Sequence, residues 1–294
     1  MTVRLGFKTS PQGAEWQVFD EMWAAGGELA VFESAWLNDH LTDMNAERPG
    51  PSLEAITVLA TLVHHVPGKE VGHGVLSNTF RHPVVLAKAA TVLDQATGGR
   101  FLLGLGAGWF EGEHGPFGIT LPPIRERIDR LESAVGVLHA LFAPEAAAPP
   151  GVTRPDPFYP LDGATNIPPP VRPGGPPIIL GGQKPRGIAL AARAADGWIL
   201  PGNVEGNVKY LTERRDELLR AMDKVGRSPD GFRFIGQVHL TRDESSFARA
   251  IDMGRAFGAA GATDVIIGVP PVLGPDGVRR AAREVAEPLR EAIG

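Results

Sequence analysis

Apolar and polar positions along this chain follow two alternating rhythms. Short apolar runs occupy residues 3–7, 28–34, 70–77, 100–108, 176–182, 196–201, 232–240 and 263–269. Their lengths, and the glycines and prolines that flank them, predict strands. Segments with apolar residues at helical spacing follow each of them: 14–27, 52–65, 84–99, 122–142, 184–195, 204–226, 243–258 and 276–293. In the clearest of these, Ile124, Ile128, Leu131, Val135 and Leu138 form one stripe behind Pro122 and Pro123. That pattern suits a helix start and a single buried face.

Eight strands, each followed by a helix, predict an α/β fold of the (β/α)₈ TIM-barrel type spanning residues 1–294 as one domain. A doubly wound sheet is the alternative that the same alternation allows. One stretch breaks the rhythm. Residues 143–176 hold eleven prolines and little periodicity, so an irregular insertion is expected there, either a surface excursion or a cover over a cleft.

A barrel of this kind carries its chemistry where the strands exit at their C-terminal ends. The exit of the second strand reads Asn38-Asp39-His40. A histidine moves protons near neutral pH, and an adjacent carboxylate can orient it or meet a ligand. An Asx-type turn with a solvated histidine is the plainer reading. The fourth exit, Gly104-Leu105-Gly106-Ala107-Gly108, is dense in glycine, yet Trp109 stands where a dinucleotide fingerprint needs its third glycine. The stretch therefore reads as a strand exit, not a Rossmann turn. Glu111, Glu113 and His114 follow it, and for Glu113 both an ion pair and proton transfer are open. No H-E-x-x-H occurs, which argues against a dedicated catalytic metal. Gly181 and Gly182 precede a helix whose first turn holds Lys184 and Arg186. Such a turn suits a phosphate, and a plain strand-to-helix connection is the alternative. His73, between two glycines, is expected to be a buried histidine, and Arg81-His82 to anchor a turn.

Composition narrows the classes. Apolar residues make up 43% and charged residues 21%, as in ordinary globular enzymes. The net charge is −5 and no basic cluster occurs, so a nucleic-acid surface is not expected. The absence of cysteine excludes disulfides and thiolate chemistry. No apolar run reaches the length of a membrane span. The first residues enter a strand pattern directly, without a signal-peptide pattern, and a cytoplasmic protein without a membrane partner is expected.

The run "GHGVLSNTFRHPVVLAKAATVLDQATGGRFLLGLGAGWFEGE", with "WLNDHL" before it and "PPIILGG…AARAADGW" after it, resembles the luciferase-like monooxygenase superfamily. The matches cover residues 36–198. The resemblance implies a barrel that binds a flavin-type cofactor at its strand exits. One branch uses FMN and oxygen; the other uses the deazaflavin F420 for hydride transfer, and this is the branch expected here. By that resemblance His40 is the catalytic proton carrier and Asp39 a cofactor contact. Gly74 and Val75 are implied to form a non-proline cis peptide beneath the ring, and Gly106, Ala107, Gly108, Gly181 and Gly182 to lie along the cofactor. Two positions depart from the sugar-phosphate dehydrogenases of the F420 branch: Met44 stands in place of a tryptophan, and Trp109 in place of a glutamate. Their substrate is therefore not carried over. Trp109, Met44 and Glu113 become candidates for the substrate pocket. The expected activity is hydride transfer between F420 and a small organic substrate. A flavin reductase or an F420-reducing enzyme is the expected source of reduced cofactor, and a homo-oligomer such as a dimer is expected. An FMN-dependent monooxygenase and a non-catalytic flavin-binding protein are the alternatives.

Overall fold

The computed structural model describes residues 3–44, 50–200 and 208–293. Its main sheet closes on itself. Strands β1 (Arg4–Thr9), β2 (Ser34–Leu37), β3 (Glu70–His73), β5 (Phe101–Gly106), β8 (Ile178–Gly181), β9 (Gly197–Ile199), β10 (Arg233–His239) and β11 (Asp264–Gly268) pair in that order, all parallel, and β11 returns to β1. The short β4 (Leu76–Ser77) continues the course of β3 and pairs with β5. Closure rules out the doubly wound alternative, and the expected (β/α)₈ barrel is the fold.

The helices lie outside: α1 (Trp16–Glu28), α2 (Ala55–Leu62), α3 (Pro83–Ala96), the short α4 (Glu111–His114), α5 (Ile124–Phe142), α6 (Pro185–Ala194), α7 (Val208–Lys224), α8 (Ser245–Ala259), α9 (Gly274–Ala281) and α10 (Glu287–Ile293). A π-helical stretch, Ala282–Ala286, joins the last two. Among the described residues no helix is long and apolar enough to cross a membrane. The expected exit at 201–203 and helix start at 204–207 lie outside the described residues.

Three expectations need correction. The second strand was expected at 28–34, but the chain turns there instead. Phe32 N–H donates to Leu29 O at 3.2 Å and Glu33 N–H to Leu5 O at 2.8 Å. The Phe32 ring packs on Phe7 at 5.4 Å, so apolar character at Phe32 reflects packing under the barrel, and pairing begins only at Ser34. The strand expected at 70–77 is broken after His73 by a cis peptide between Gly74 and Val75, the bond that the family resemblance implied. The insertion at 143–176 is not irregular throughout. It holds a 3₁₀ turn, Pro144–Ala147, and an antiparallel hairpin of β6 (Val152–Arg154) and β7 (Leu161–Ala164). Asn166 donates to Thr91 at 2.9 Å, Gln95 to Pro169 O at 2.8 Å, and the Arg130 guanidinium lies over Phe158. The insertion is thus strapped along the outer flank of α3 and α5.

The side chains inside the barrel form layers. At the base, the first residues of four strands meet: Arg4, Glu70, Arg233 and Asp264. Arg233 reaches Glu70 at 2.8 Å and pairs with Asp264, and Arg4 lies 3.2 Å from Asp264. Burial opposes the charge on Arg233, but the two carboxylates outweigh it and raise its pKa. Above lies an apolar layer of Trp36, Leu102, Ile179, Ile199, Ile235 and Ile266. The top layer is mixed. Lys8, pushed by burial down to about 8, donates to Gln237, while β3, β5 and β8 contribute little but glycine. The histidine expected to be buried, His73, faces outward. Its Nε2 sits 3.2 Å from Ala55 O, and burial lowers its pKa to about 4.

Two outcomes follow from this interior. Asp264→Asn leaves Arg233 with one carboxylate and lowers unfolding free energy by about 3 kcal/mol in urea titrations, as expected for half of a broken buried pair. His73 takes up a proton near pH 6.5 when unfolded but near 4 when folded. Its share of stability is therefore intact above 6.5 and lost as pH falls toward 4, a loss of about 2 kcal/mol at pH 5 relative to pH 7. His73→Leu is expected to flatten that difference by the same amount.

Candidate active site

The C-terminal ends of β2, β4 and β5 bring the candidate residues together. Asp39 and His40 follow β2 directly, and their side chains diverge. Asp39 is 3% exposed. Arg81 donates to its two oxygens at 2.7 and 2.9 Å, and Ser77 N–H donates at 2.8 Å. Arg81 also binds Glu54, which caps α2 by accepting from Thr57 N–H at 2.6 Å. Burial opposes ionisation of Glu54, but its bonds to Thr57 and Arg81 prevail and hold it at about 2. Arg81 anchors this turn, as expected. Asp39, expected to face the ligand, has both of its oxygens held by protein donors.

His40 turns the other way. Its Nδ1 lies 3.0 and 3.2 Å from the two oxygens of Glu113, and Leu41 N–H donates to the same carboxylate at 2.8 Å. Glu113 is 2% exposed. The pair joins two exits separated by 73 residues. A carboxylate that accepts from Nδ1–H holds the ring in one orientation and one tautomer, leaving Nε2 as the nitrogen able to take or give a proton. Among the described residues, Nε2 has no hydrogen-bond partner. Trp109 and Phe110 stand edge-on to the imidazole at 6.1 and 6.4 Å. Trp109 is 62% exposed. Glu113 is therefore behind His40, not in the pocket wall where it was expected. Met44 is half-buried in the turn beyond His40.

The floor is set by Val75. A side chain built on Gly106 would meet Val75 Cγ2 at 2.9 Å, one on Gly181 at 3.2 Å, and one on Gly104 would strike His73 O at 1.6 Å. Gly106 and Gly181 were expected to admit a cofactor to the backbone. The space beside them admits the bulge at Gly74–Val75 instead, and Val75 becomes the surface of the floor. Gly108 has φ +78°, and a Cβ there would lie 2.7 Å from Ser77 Oγ and 2.8 Å from Thr79 Oγ1. Only glycine fits that approach. Arg127 donates to Gly108 O. The half-buried Ala107 packs against the outer core.

A second polar chain lies behind this floor. His114 Nδ1 donates to Phe110 O at 2.7 Å, so its Nε2 accepts from Thr79 at 2.8 Å and Thr79 in turn accepts from Ser77 at 2.7 Å. Beside it Asn78, which sequence reasoning missed, buries an Oδ1 with no partner among the described residues. Its place in the exit "LSNT" was the one available signal. After β8, Gly182 has φ +136° and its carbonyl accepts from Trp198 Nε1 at 2.7 Å. Lys184, the N-cap residue of α6, makes no side-chain capping bond among the described residues. Arg186 does not point to an anion at that helix start; it pairs with Asp129 of α5. Lys184, the other cation at that helix start, is exposed, so the charge argument for a phosphate loses one of its two residues.

Among the described residues, an apolar floor, a glycine-rich rim and a helix start whose N-cap side chain is not bonded fit a planar cofactor with a polar tail. Comparisons with known proteins agree with that reading. A curated F420-dependent glucose-6-phosphate dehydrogenase of Nakamurella multipartita is 29% identical over 82% of this chain and 68% of its own length. A phthiodiolone/phenolphthiodiolone dimycocerosates ketoreductase of a Mycobacterium species is 29% identical over 79% of this chain, which spans 64% of that relative's length. Among solved structures, an F420-dependent secondary alcohol dehydrogenase holding an F420–acetone adduct superposes with a TM-score of 0.80 at 16% identity, over 98% of this chain and 99% of the other. A monooxygenase from Streptomyces bottropensis superposes at 0.77 with 17% identity, over 98% of each chain. At those identities the structural likeness speaks for the barrel alone. Residues 12–287 match the sequence profile of the family described as luciferase-like monooxygenase, and the chain belongs to that family.

Proposed function

We propose that this chain is an F420-dependent oxidoreductase in which His40 moves the proton that accompanies hydride transfer to or from a small organic substrate. The observation that carries the reading is the His40–Glu113 pair at 3.0 Å. It presents one imidazole nitrogen to the mouth of the barrel, beside the exposed face of Trp109. The curated relatives with F420 in their names support the choice of cofactor.

In this reading Val75, Gly108 and Gly182 are the residues that would hold the deazaflavin. The group supplies or accepts the hydride at its C5 carbon. The protein supplies the rest. Arg81 fixes Asp39, and Asp39 fixes the Ser77 amide, so the strand end beside the floor keeps its shape when a ligand arrives. Glu113 keeps the imidazole in the tautomer whose Nε2 is unprotonated in the neutral ring. That nitrogen takes a proton from an alcohol being oxidised, or as imidazolium returns one to a carbonyl or alkene being reduced. Trp109 offers an apolar wall on which a substrate can lie. The ordinary donor of reduced cofactor in this scheme is a separate F420-reducing enzyme.

His40→Ala is expected to lower kcat by about 10²–10⁴-fold while F420 still binds, the range for loss of a positioned acid–base group. Glu113→Gln is expected to lose a comparable factor, because its amide can donate to Nδ1 and reverse the tautomer. Steady-state kinetics together with fluorescence titration of F420 separate the two quantities. The reading as a whole is tested by titrating the protein with F420 and with FMN, each oxidised and reduced. Tight binding of FMN with no binding of F420 would overturn it.

A further inference from the structure

The outer wall of the barrel carries a second cluster of chemistry-bearing side chains. After α2 the chain tightens into a 3₁₀ turn, Val63–His65. Its two consecutive histidines bring their rings to 3.9 Å, tilted by 38°. Asp20, on the neighbouring α1, lies 2.7 Å from His65 Nε2. One ligand atom from each of Asp20, His64 and His65 can be chosen so that all lie within 4.8 Å of one another.

An ion pair between Asp20 and His65 accounts for only part of this arrangement. It leaves the second imidazole, that of His64, lying against the first with a ligand atom within 4.8 Å of the same carboxylate. Two ring nitrogens and a carboxylate oxygen thus come within reach of a common cation. His64 Nδ1 donates to Thr61 O at 2.7 Å. A carbonyl in that position fixes the tautomer in which Nε2 is a free donor of its lone pair, as behind most metal-bound histidines. Imidazole with a single carboxylate is a donor set suited to zinc and its neighbours in the first transition row. Bonds of about 2.1 Å place tetrahedral ligand atoms about 3.4 Å apart, so closing the set takes shifts of about an ångström in side chains at the surface. The backbones beneath cannot separate easily. A Cβ on Gly27 of α1 would lie 1.9 Å from His65 O, so helix and turn are already pressed together.

We propose that Asp20, His64 and His65 form a binding site for one divalent transition-metal ion of the zinc class, which clamps α1 to the end of α2. The site lies outside the barrel and is independent of the redox reading above. Sequence reasoning did not find it, because its third ligand lies 44 residues from the histidine pair and no linear motif joins them.

The test uses the full chain stripped with EDTA and titrated calorimetrically with zinc chloride, beside His64→Ala and Asp20→Asn. His64 is exposed and Asn keeps the shape of Asp, so circular dichroism should show both variants folded. The expected result is one zinc per chain, affinity lowered more than about tenfold in either variant, and a zinc-dependent rise in Tm that only the parent shows. Absence of zinc binding would overturn the proposal. So would unchanged affinity in both variants, which would place the ion elsewhere, for instance at His40 and Glu113. Loss in one variant alone would overturn the three-ligand set.

Discussion

The interior of an eight-stranded barrel offers one nearly fixed volume, and the way this chain divides it decides the rest. Trp36 takes a large share at mid-height. It is fully buried, donates to Ser34 Oγ at 2.9 Å, and lies so close to Gly72 that a Cβ there would meet its ring at 2.9 Å. A Cβ on Gly6 would strike Ser34 Oγ at 2.3 Å. Glycine at both positions is the steric consequence of an indole inside the barrel. Above it the bulge at Gly74–Val75 turns a side chain inward and claims the room that Gly104, Gly106 and Gly181 leave. The interior is thus filled to the level of the strand exits, and the mouth above it has a firm floor.

Polarity is distributed along the same axis. The base is closed by a fully paired set of charges, where burial is offset by four-way electrostatics. The middle is dry. The top holds Lys8 and Gln237 on one side and nearly bare backbone on the other. At the rim, three ionisable groups are held by others: Asp39 by Arg81, Arg81 also by Glu54, and His40 by Glu113. Such a rim is pre-organised. Its atoms need little rearrangement to meet a ligand. Trp109 differs, an apolar face turned to solvent beside His40.

The strap at 143–176 shows how a fold sets limits on a functional guess. It leaves α5 and returns along α3, so its contacts are with helix flanks. Its Tyr159 ring meets His82 at the head of α3, a few residues beyond the β4 exit.

The rhythm of apolar runs determined the order of elements and, through their count, the barrel, because periodicity reports which face of each element is buried. The residue types at the exits determined where proton chemistry could sit, so Asp39, His40 and Glu113 were all legible as candidates. Their relations were not. That Glu113 stands behind His40, that Asp39 belongs to Arg81, and that Gly106 and Gly181 make way for Val75 depend on contacts between segments far apart in the chain. Periodicity carries no information about such contacts. The misplaced second strand has the same cause: Phe32 is apolar because of what it packs against, and packing partners are chosen only when the chain closes into three dimensions.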